Sequence, residues 1–317
     1  MRLLKLVPDG TNIPFLKYRN IGFALAIAFT LAAIALVAIR GFNFGVDFAG
    51  GLMIEARFEQ PVPLDTLRTA VNQMGAGQGN LQSFGDPRTV AIRLPLPPGD
   101  AEAVQRAVLS VQDQLAARYP GVEFRRVETV SGKVSGELVR QAALAILFAM
   151  IGISVYIWFR FEWQFGVGAL VALVHDVAVT LGLFALFQWE FNLSIIAALL
   201  TIVGYSLNDT IVVYDRIREN LRKYRKMDMV PLLDLSLNET LSRTIVTSLT
   251  MIIALATLVL FGGEVLFGFS IAMLIGVFVG TFSSIYIGAP ILLWLGVGPH
   301  SFVPAEAPGA RAERIAP

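Results

Sequence analysis

The chain has 317 residues, 55% hydrophobic and 15% charged, with a net charge of +1. Soluble domains carry about 25% charged residues, so this composition, with a mean hydropathy of +0.66, describes a polytopic membrane protein. The absence of Cys excludes disulfides, thiolate metal sites and cysteine nucleophiles. His175 and His300 are the only imidazoles, which argues against a His-rich metal site, and no GxxxxGK[ST] loop offers a nucleotide site.

Residues 1–20 form a mixed leader with Lys5, Lys17 and Arg19. The apolar run 21–39 has the length of a bilayer-crossing helix. It is too long for a signal-peptide core, so an uncleaved first span is expected. Residues 40–136 are polar and punctuated by Pro and Gly. Strand character appears at 51–58, and helical spacing at Leu64, Leu67, Val71 and Met74. Two short strands, 80–84 and 89–94, flank a Gly-Asp-Pro turn. A helix over 101–119 stops at Pro120-Gly121, and 122–130 reads as a last strand. The order βαββαβ predicts a small ferredoxin-like α+β domain between the first and second spans.

After a link at 131–139, apolar runs return at 141–159, 165–187, 193–214, 245–261 and 266–295. The fold class expected is therefore a polytopic α-helical membrane protein of six spans, with residues 137–296 forming the second to sixth. The last run is long for one span and is expected to tilt, to break near Gly268 or to start as an interfacial segment. Residues 297–317 read as a disordered cytoplasmic tail. The leader, Arg160 and the segment 215–243 are basic, whereas the turns 188–192 and 262–265 contain no Lys or Arg. The positive-inside rule then puts both termini in the cytoplasm and the α+β domain in a periplasm-like space. The basic segment reads as an anchor along anionic lipid. Nothing aromatic is organised around its charges, so no nucleic-acid role is expected.

The polar residues inside the spans carry the chemistry. GYSLNDTIVVYDRIREN, residues 204–220, places Asn208 and Asp209, both candidate proton-relay residues together with Arg243, within the fourth span. A charge there costs roughly 3 kcal/mol on insertion scales and needs a partner or a water path. Asp209 lies roughly 24 Å along the span, in the cytoplasmic third. Tyr205 and Ser206, one turn earlier, are candidate hydrogen-bond donors to it. Arg243 is the natural charge partner, because its long side chain can snorkel inward from the start of the fifth span. Such a pair serves either as a proton-binding switch or as a static bridge between two helices. Asp215 and Arg216 fall at the interface and read as anchors.

Asp176 lies roughly 16 Å into the third span, near the midplane, and His175 points about 100° away from it around the helix. They are candidates for a secondary relay or for packing glue. In FNFGVDFAGG, Asp47, Gly50 and Gly51 form an elbow or hinge where the first span leaves the membrane. Gly276 and Gly280, followed by Ser283 and Ser284, mark a close helix seam. Tyr214-Asp215 is half of an intramembrane aspartyl-protease signature, but the partner Gly-x-Gly-Asp is missing, so no enzymatic activity is expected.

Together FNFGVDFAGG, LVHD, GYSLNDTIVVYDRIREN, the SRT around Arg243 and FGFSIAMLIGVFVGTFSSIYI resemble the SecD/SecF family of protein-export membrane proteins, within the RND superfamily. The resemblance covers essentially the whole chain except the tail. It implies pairing with SecD near SecYEG, with YajC as an associate, and proton-motive-force-driven assistance to preprotein export across the bacterial inner membrane. It also implies a proton relay at Asp209 and Arg243. No cofactor is implied beyond H⁺ as the coupling ion, with Na⁺ as the alternative. Two other readings stay open: half of an RND-type exporter of lipids or small molecules, and a scaffold for the translocon.

Overall fold

The computed structural model describes residues 7–298 except 9, 76–78, 85, 98 and 100. The start of the leader, His300 and the predicted disordered tail beyond residue 298 lie outside the described residues. Among the described residues, six helical segments are long and apolar enough to cross a membrane: Phe15–Arg40, Gly132–Arg160, Trp163–Phe187, Leu193–Lys223, Met229–Phe261 and Val265–Trp294. The first comprises a 3-10 turn and α1 (Arg19–Arg40). The next four are α5, α6, α7 and α8 in the same order.

Between α1 and α5 the chain forms β1 (Asn43–Phe44), a single turn α2 (Val46–Ala49) and the predicted domain. That domain is β2 (Gly51–Arg57), α3 (Leu64–Gln73), β3 (Asn80–Phe84), β4 (Asp86–Leu94), α4 (Ala101–Arg118) and β5 (Glu123–Val130). Its four strands lie in the order β3-β4-β2-β5, with every neighbouring pair antiparallel, as the split-βαβ pattern requires. Leu67 and Val71 of α3 and Val111 and Leu115 of α4 pack against Leu52, Ile54, Val90 and Ile92. The other face of β2 is not open to water, since Met53 and Ala91 pack on Val46 of the elbow. The central strand is therefore buried on both sides, which explains its apolar run.

Gly51 starts that strand at φ +123°, and a Cβ there would lie 2.8 Å from the Leu94 carbonyl oxygen. Both the backbone conformation and the neighbouring backbone oppose a side chain. Gly51→Ala is expected to cost about 2–3 kcal/mol. Heat-induced unfolding of the full-length protein in detergent measures this. An unchanged midpoint would show that the strand start relaxes freely.

Two helices run well past their predicted spans. The α7 helix continues to Lys223, and α8 already begins at Met229. Val213, Ile217 and Leu221 recur at helical spacing and bury against a cluster that holds Leu232, Leu233, Leu237 and Leu241. The basic segment is thus a helical hairpin, with Arg222, Lys223, Arg225 and Lys226 exposed. Asn220 ties the two arms together, donating to Ser236 Oγ (3.0 Å) and Glu239 Oε2 (2.7 Å). The leader docks on this hairpin through Ile13 N–H to Asn238 Oδ1 and Leu16 N–H to Asp234 Oδ1, both at 2.9 Å.

The last span does not break near Gly268. Its helix α9 (Gly263–Ser283) is continuous there, and a Cβ on Gly268 would lie 3.1 Å from Ile195. The irregularity comes later, as a π-helical turn over Ser284–Gly288 before α10 (Ala289–Trp294). Pro290 has no N–H to give the Tyr286 carbonyl, so the helix widens just ahead of it.

Candidate ion-coupling site

Helices α6, α7 and α9 meet at Asp176. Its Oδ2 accepts from Ser206 Oγ of α7 at 2.5 Å and from Ser283 Oγ of α9 at 2.9 Å. The side chain is 0% exposed, and Oδ1 has no partner among the described residues. The glycine seam makes this approach possible. A Cβ at Gly276 would overlap Ile202, and one at Gly280 would lie 3.1 Å from Ser206 Cβ. The seam thus joins α9 to α7 of the same chain. About two turns further along α7, Tyr214 donates from its hydroxyl to Gly288 O in the π turn (3.2 Å) and lies edge-on to Phe165.

Asp209 follows Ser206 by three residues on α7, so it lies on nearly the same face as the Asp176 node. It is 3% exposed, and its Oδ2 has no hydrogen-bond partner among the described residues. Arg243 of α8 is the charged group that acts on it electrostatically. No ion pair or hydrogen bond joins the two among the described residues, and Arg243 is exposed. The pair stands open rather than as a static bridge. Contrary to the expectation for its neighbours, neither Ser206 nor Tyr205 serves Asp209. Ser206 is pressed by Gly280 toward Asp176, and the Tyr205 hydroxyl faces Ser248 and Thr247 of α8 instead.

The other candidate residues separate by face. Asn208 is exposed and not joined to Asp209, because adjacent helical residues point about 100° apart. It continues an outward stripe of small and polar side chains with Thr201 and Gly204. His175 turns to α1, where its Nδ1 pairs with Thr30 Oγ1 at 2.8 Å. Thr30 was missed from sequence, although a lone hydroxyl in an apolar run was there to be seen. At the basic end, Asp215 pairs with Arg160 at 2.7 Å, with both side chains well exposed. Such a pair contributes at most about 1 kcal/mol. In the α5–α6 link, burial pushes the Glu162 carboxyl above the usual range, opposed by Arg218 and Arg222.

The elbow reaches the same helix from its other end. Asp47 Oδ2 accepts from the Leu193 N–H, the first of α7, at 2.9 Å, and Asn192 caps Ser194 at 3.1 Å. Gly50 and Gly51 both take positive φ, as the turn requires. β1 pairs in parallel with β6 (Glu190–Phe191), just before α7. Arg93 of the sheet completes the clamp, 3.1 Å from Glu190 Oε2 and 2.7 Å from Asn43 Oδ1. Sequence reading missed this clamp because its members come from three distant segments.

The side chains of Arg93 and Glu190 are only 13% and 11% exposed, so removing one strands the other. Arg93→Ala or Glu190→Ala alone is expected to cost about 3 kcal/mol, and the double substitution less than either. Thermal unfolding of the four proteins in detergent measures the coupling. Additive losses would mean that the two charges do not act as a pair.

Six apolar helices around a buried carboxylate node, with a small α+β domain clamped to one end, define a polytopic membrane protein with an intramembrane polar site. The family model "Protein export membrane protein SecD/SecF, C-terminal" matches residues 110–298, and the "SecD/SecF GG Motif" matches 35–62, across the elbow. The chain is 44% identical over 290 residues to protein translocase subunit SecF of Rickettsia rickettsii, covering 91% of this chain and 94% of that one. The SecF subunit of Desulfurispirillum indicum is 43% identical over 288 residues, covering 89% and 91%. Among solved structures, the translocon-associated membrane protein SecDF of Thermus thermophilus superposes with a TM-score of 0.82 at 36% identity, over 90% of this chain and 39% of that one. The super-membrane-facing form of SecDF gives a TM-score of 0.67 at 35% identity, over 93% and 40%. The chain thus spans about two fifths of those SecDF chains. It belongs to the SecD/SecF family of protein export membrane proteins.

Proposed function

We propose that this member of the Sec export family couples ion flow to preprotein movement through Asp209. The observation that carries the reading is the state of that carboxylate: buried, with one oxygen unpartnered, beside a guanidinium that does not close on it. A carboxylate so placed binds or releases a proton as hydration or the Arg243 position changes. Asp176 stands about one turn nearer the outer end and supplies a second protonatable group on the same path. Asp47 and the clamp at Glu190 pass movement of α7 to the α+β domain, which acts on preprotein in the periplasm while both termini stay cytoplasmic. The chain makes and breaks no covalent bond, and H⁺ is the coupling species.

SecD is the partner in this reading, with SecYEG and YajC around the pair. The likeness to SecDF supports SecD, and so does the outward stripe Thr201, Gly204 and Asn208, which suits a neighbouring helix better than lipid. As a complete exporter of lipids or small molecules the chain has only one bundle and one small outer domain. As a scaffold it has no use for an unpartnered carboxylate.

The test imposes a proton gradient and a sodium gradient separately on vesicles that contain the chain, SecD and the Sec channel. Preprotein export is expected to rise with the proton gradient alone. Stimulation by sodium alone would replace H⁺ by Na⁺, and stimulation by neither would leave the scaffold.

A further inference from the structure

A cavity of about 520 Å³ opens between the outer ends of the spans and the underside of the sheet. Four helix termini surround it: the end of α6 at Phe187, the start of α7 at Leu193, the end of α8 at Phe261 and the start of α9 at Gly263. These termini mark the edge of the bilayer. Phe187 and Trp189 stack at 4.7 Å, and Phe267 meets Trp189 edge-on at 5.9 Å, as aromatic residues gather at a membrane–water boundary. Below them the wall is apolar, and Leu260 and Val265 are 74% and 63% exposed, on spans long and apolar enough to cross a membrane.

Above the aromatic ring the wall changes character. Strand pairing sets Gln82, Ala91, Glu55 and Arg126 in one row across the sheet. Gln82 and Arg126, from the two ends of that row, line the cavity with Ser83 and Asn192. Arg126 holds Glu128 through Nε and one terminal nitrogen, which leaves its second terminal nitrogen to donate elsewhere. Glu190, on the same wall, is already engaged by Arg93. The cavity therefore runs from bilayer-facing aliphatics, through an aromatic girdle, to a guanidinium with a donor to spare. Its volume falls in the range of sites for small ligands.

We propose that this cavity binds one phospholipid from the leaflet on the side of the α+β domain, with the phosphate on Arg126 and an acyl chain along Val259, Leu260 and Val265. The polarity gradient matches an amphiphile, and the cavity lies where such molecules already are at high local concentration. A lipid seated there bridges the sheet to the ends of α6, α8 and α9, beside the Arg93–Glu190 clamp.

Trp189 is a built-in reporter. The full-length protein is prepared with Trp189 as its only tryptophan, the other three replaced by Phe. It is reconstituted in phosphatidylcholine vesicles containing increasing fractions of phospholipid with brominated acyl chains, which quench tryptophan on contact. Phosphatidylethanolamine and phosphatidylglycerol are tried in separate arms. A second protein keeps only Trp158, which is 75% exposed on α5 and reports bulk lipid.

Trp189 is expected to show a saturable quenching phase at low fractions of brominated lipid that Trp158 lacks. Arg126→Gln weakens that phase about tenfold, the loss of one charge-assisted contact. Glu128→Gln, which frees Arg126 from its competitor, keeps or strengthens it. This second variant separates headgroup binding from simple damage to the sheet. Quenching of Trp189 that only tracks the bulk fraction, as for Trp158, would overturn the proposal. So would relief of the saturable phase by inorganic phosphate, which marks a free-anion site, or by a soluble apolar peptide, which marks a polypeptide site.

Discussion

Asp209→Asn is expected to leave the chain folded and paired with SecD while reducing gradient-driven export to background. The two side chains have nearly the same shape, and Asp209 Oδ2 makes no hydrogen bond that the change could break. Asn differs in one respect, that it cannot exchange a proton. Moving one charge through a potential of 100 mV is worth about 2.3 kcal/mol, enough to shift a two-state equilibrium by about 50-fold. Without a titrating group that work is not collected. Vesicles containing the channel, its ATP-driven motor, SecD and this chain separate the effects: export with ATP alone stays at the wild-type level, and the increment from an imposed gradient disappears. A gradient increment that survives in a normally assembled complex would remove Asp209 from the relay.

The same energy scale bears on how movement leaves the bundle. Stranding either charge of the Arg93–Glu190 pair costs about 3 kcal/mol, comparable to the work from one proton. A single proton therefore does not readily break the clamp, and the α+β domain is expected to move with the α6–α7 turn rather than detach from it. In the proposed coupling Asp47 sets the direction, since it holds the first N–H of the helix that carries Asp209.

The six spans and the βαββαβ order were legible because each rests on a local period. Apolar runs of bilayer length, strand alternation and turn residues need no knowledge of neighbours. The helical hairpin beyond the bilayer was less visible, because Val213, Ile217 and Leu221 are diluted by the charges around them. Asp209 stood out as a costly residue. Its relation to Arg243 was only half legible, since sequence separation suggests proximity but does not say whether the pair closes. The Asp176 node was hidden for another reason. Its donors, Ser206 and Ser283, come from two other helices, and only the packing at Gly280 brings them onto one oxygen. Spacing points Ser206 to the carboxylate on its own helix, whereas tertiary packing gives it to Asp176 on α6.

That seam should be more sensitive to volume than to charge. Gly280→Leu is expected to destabilise the protein by about 3 kcal/mol or more, as overpacking of a tight contact does. The added side chain begins where a Cβ already lies 3.1 Å from Ser206 Cβ and 3.3 Å from its hydroxyl oxygen. It must displace Ser206 from Asp176 or push α9 away from α7, and either opens the three-helix node without touching the carboxylate. Asp176→Asn, by contrast, keeps an oxygen that can accept from both Ser206 and Ser283. Interhelical hydrogen bonds in membranes are worth about 0.6 kcal/mol on average and up to about 1.7, so its cost should stay within about 1 kcal/mol. Unfolding of the full-length protein in detergent, followed by loss of helical circular dichroism, ranks the two. If Asp176→Asn proves the more damaging, the node depends on the carboxylate's charge state rather than on close packing, and Asp176 then joins Asp209 as a group whose proton the fold is built around.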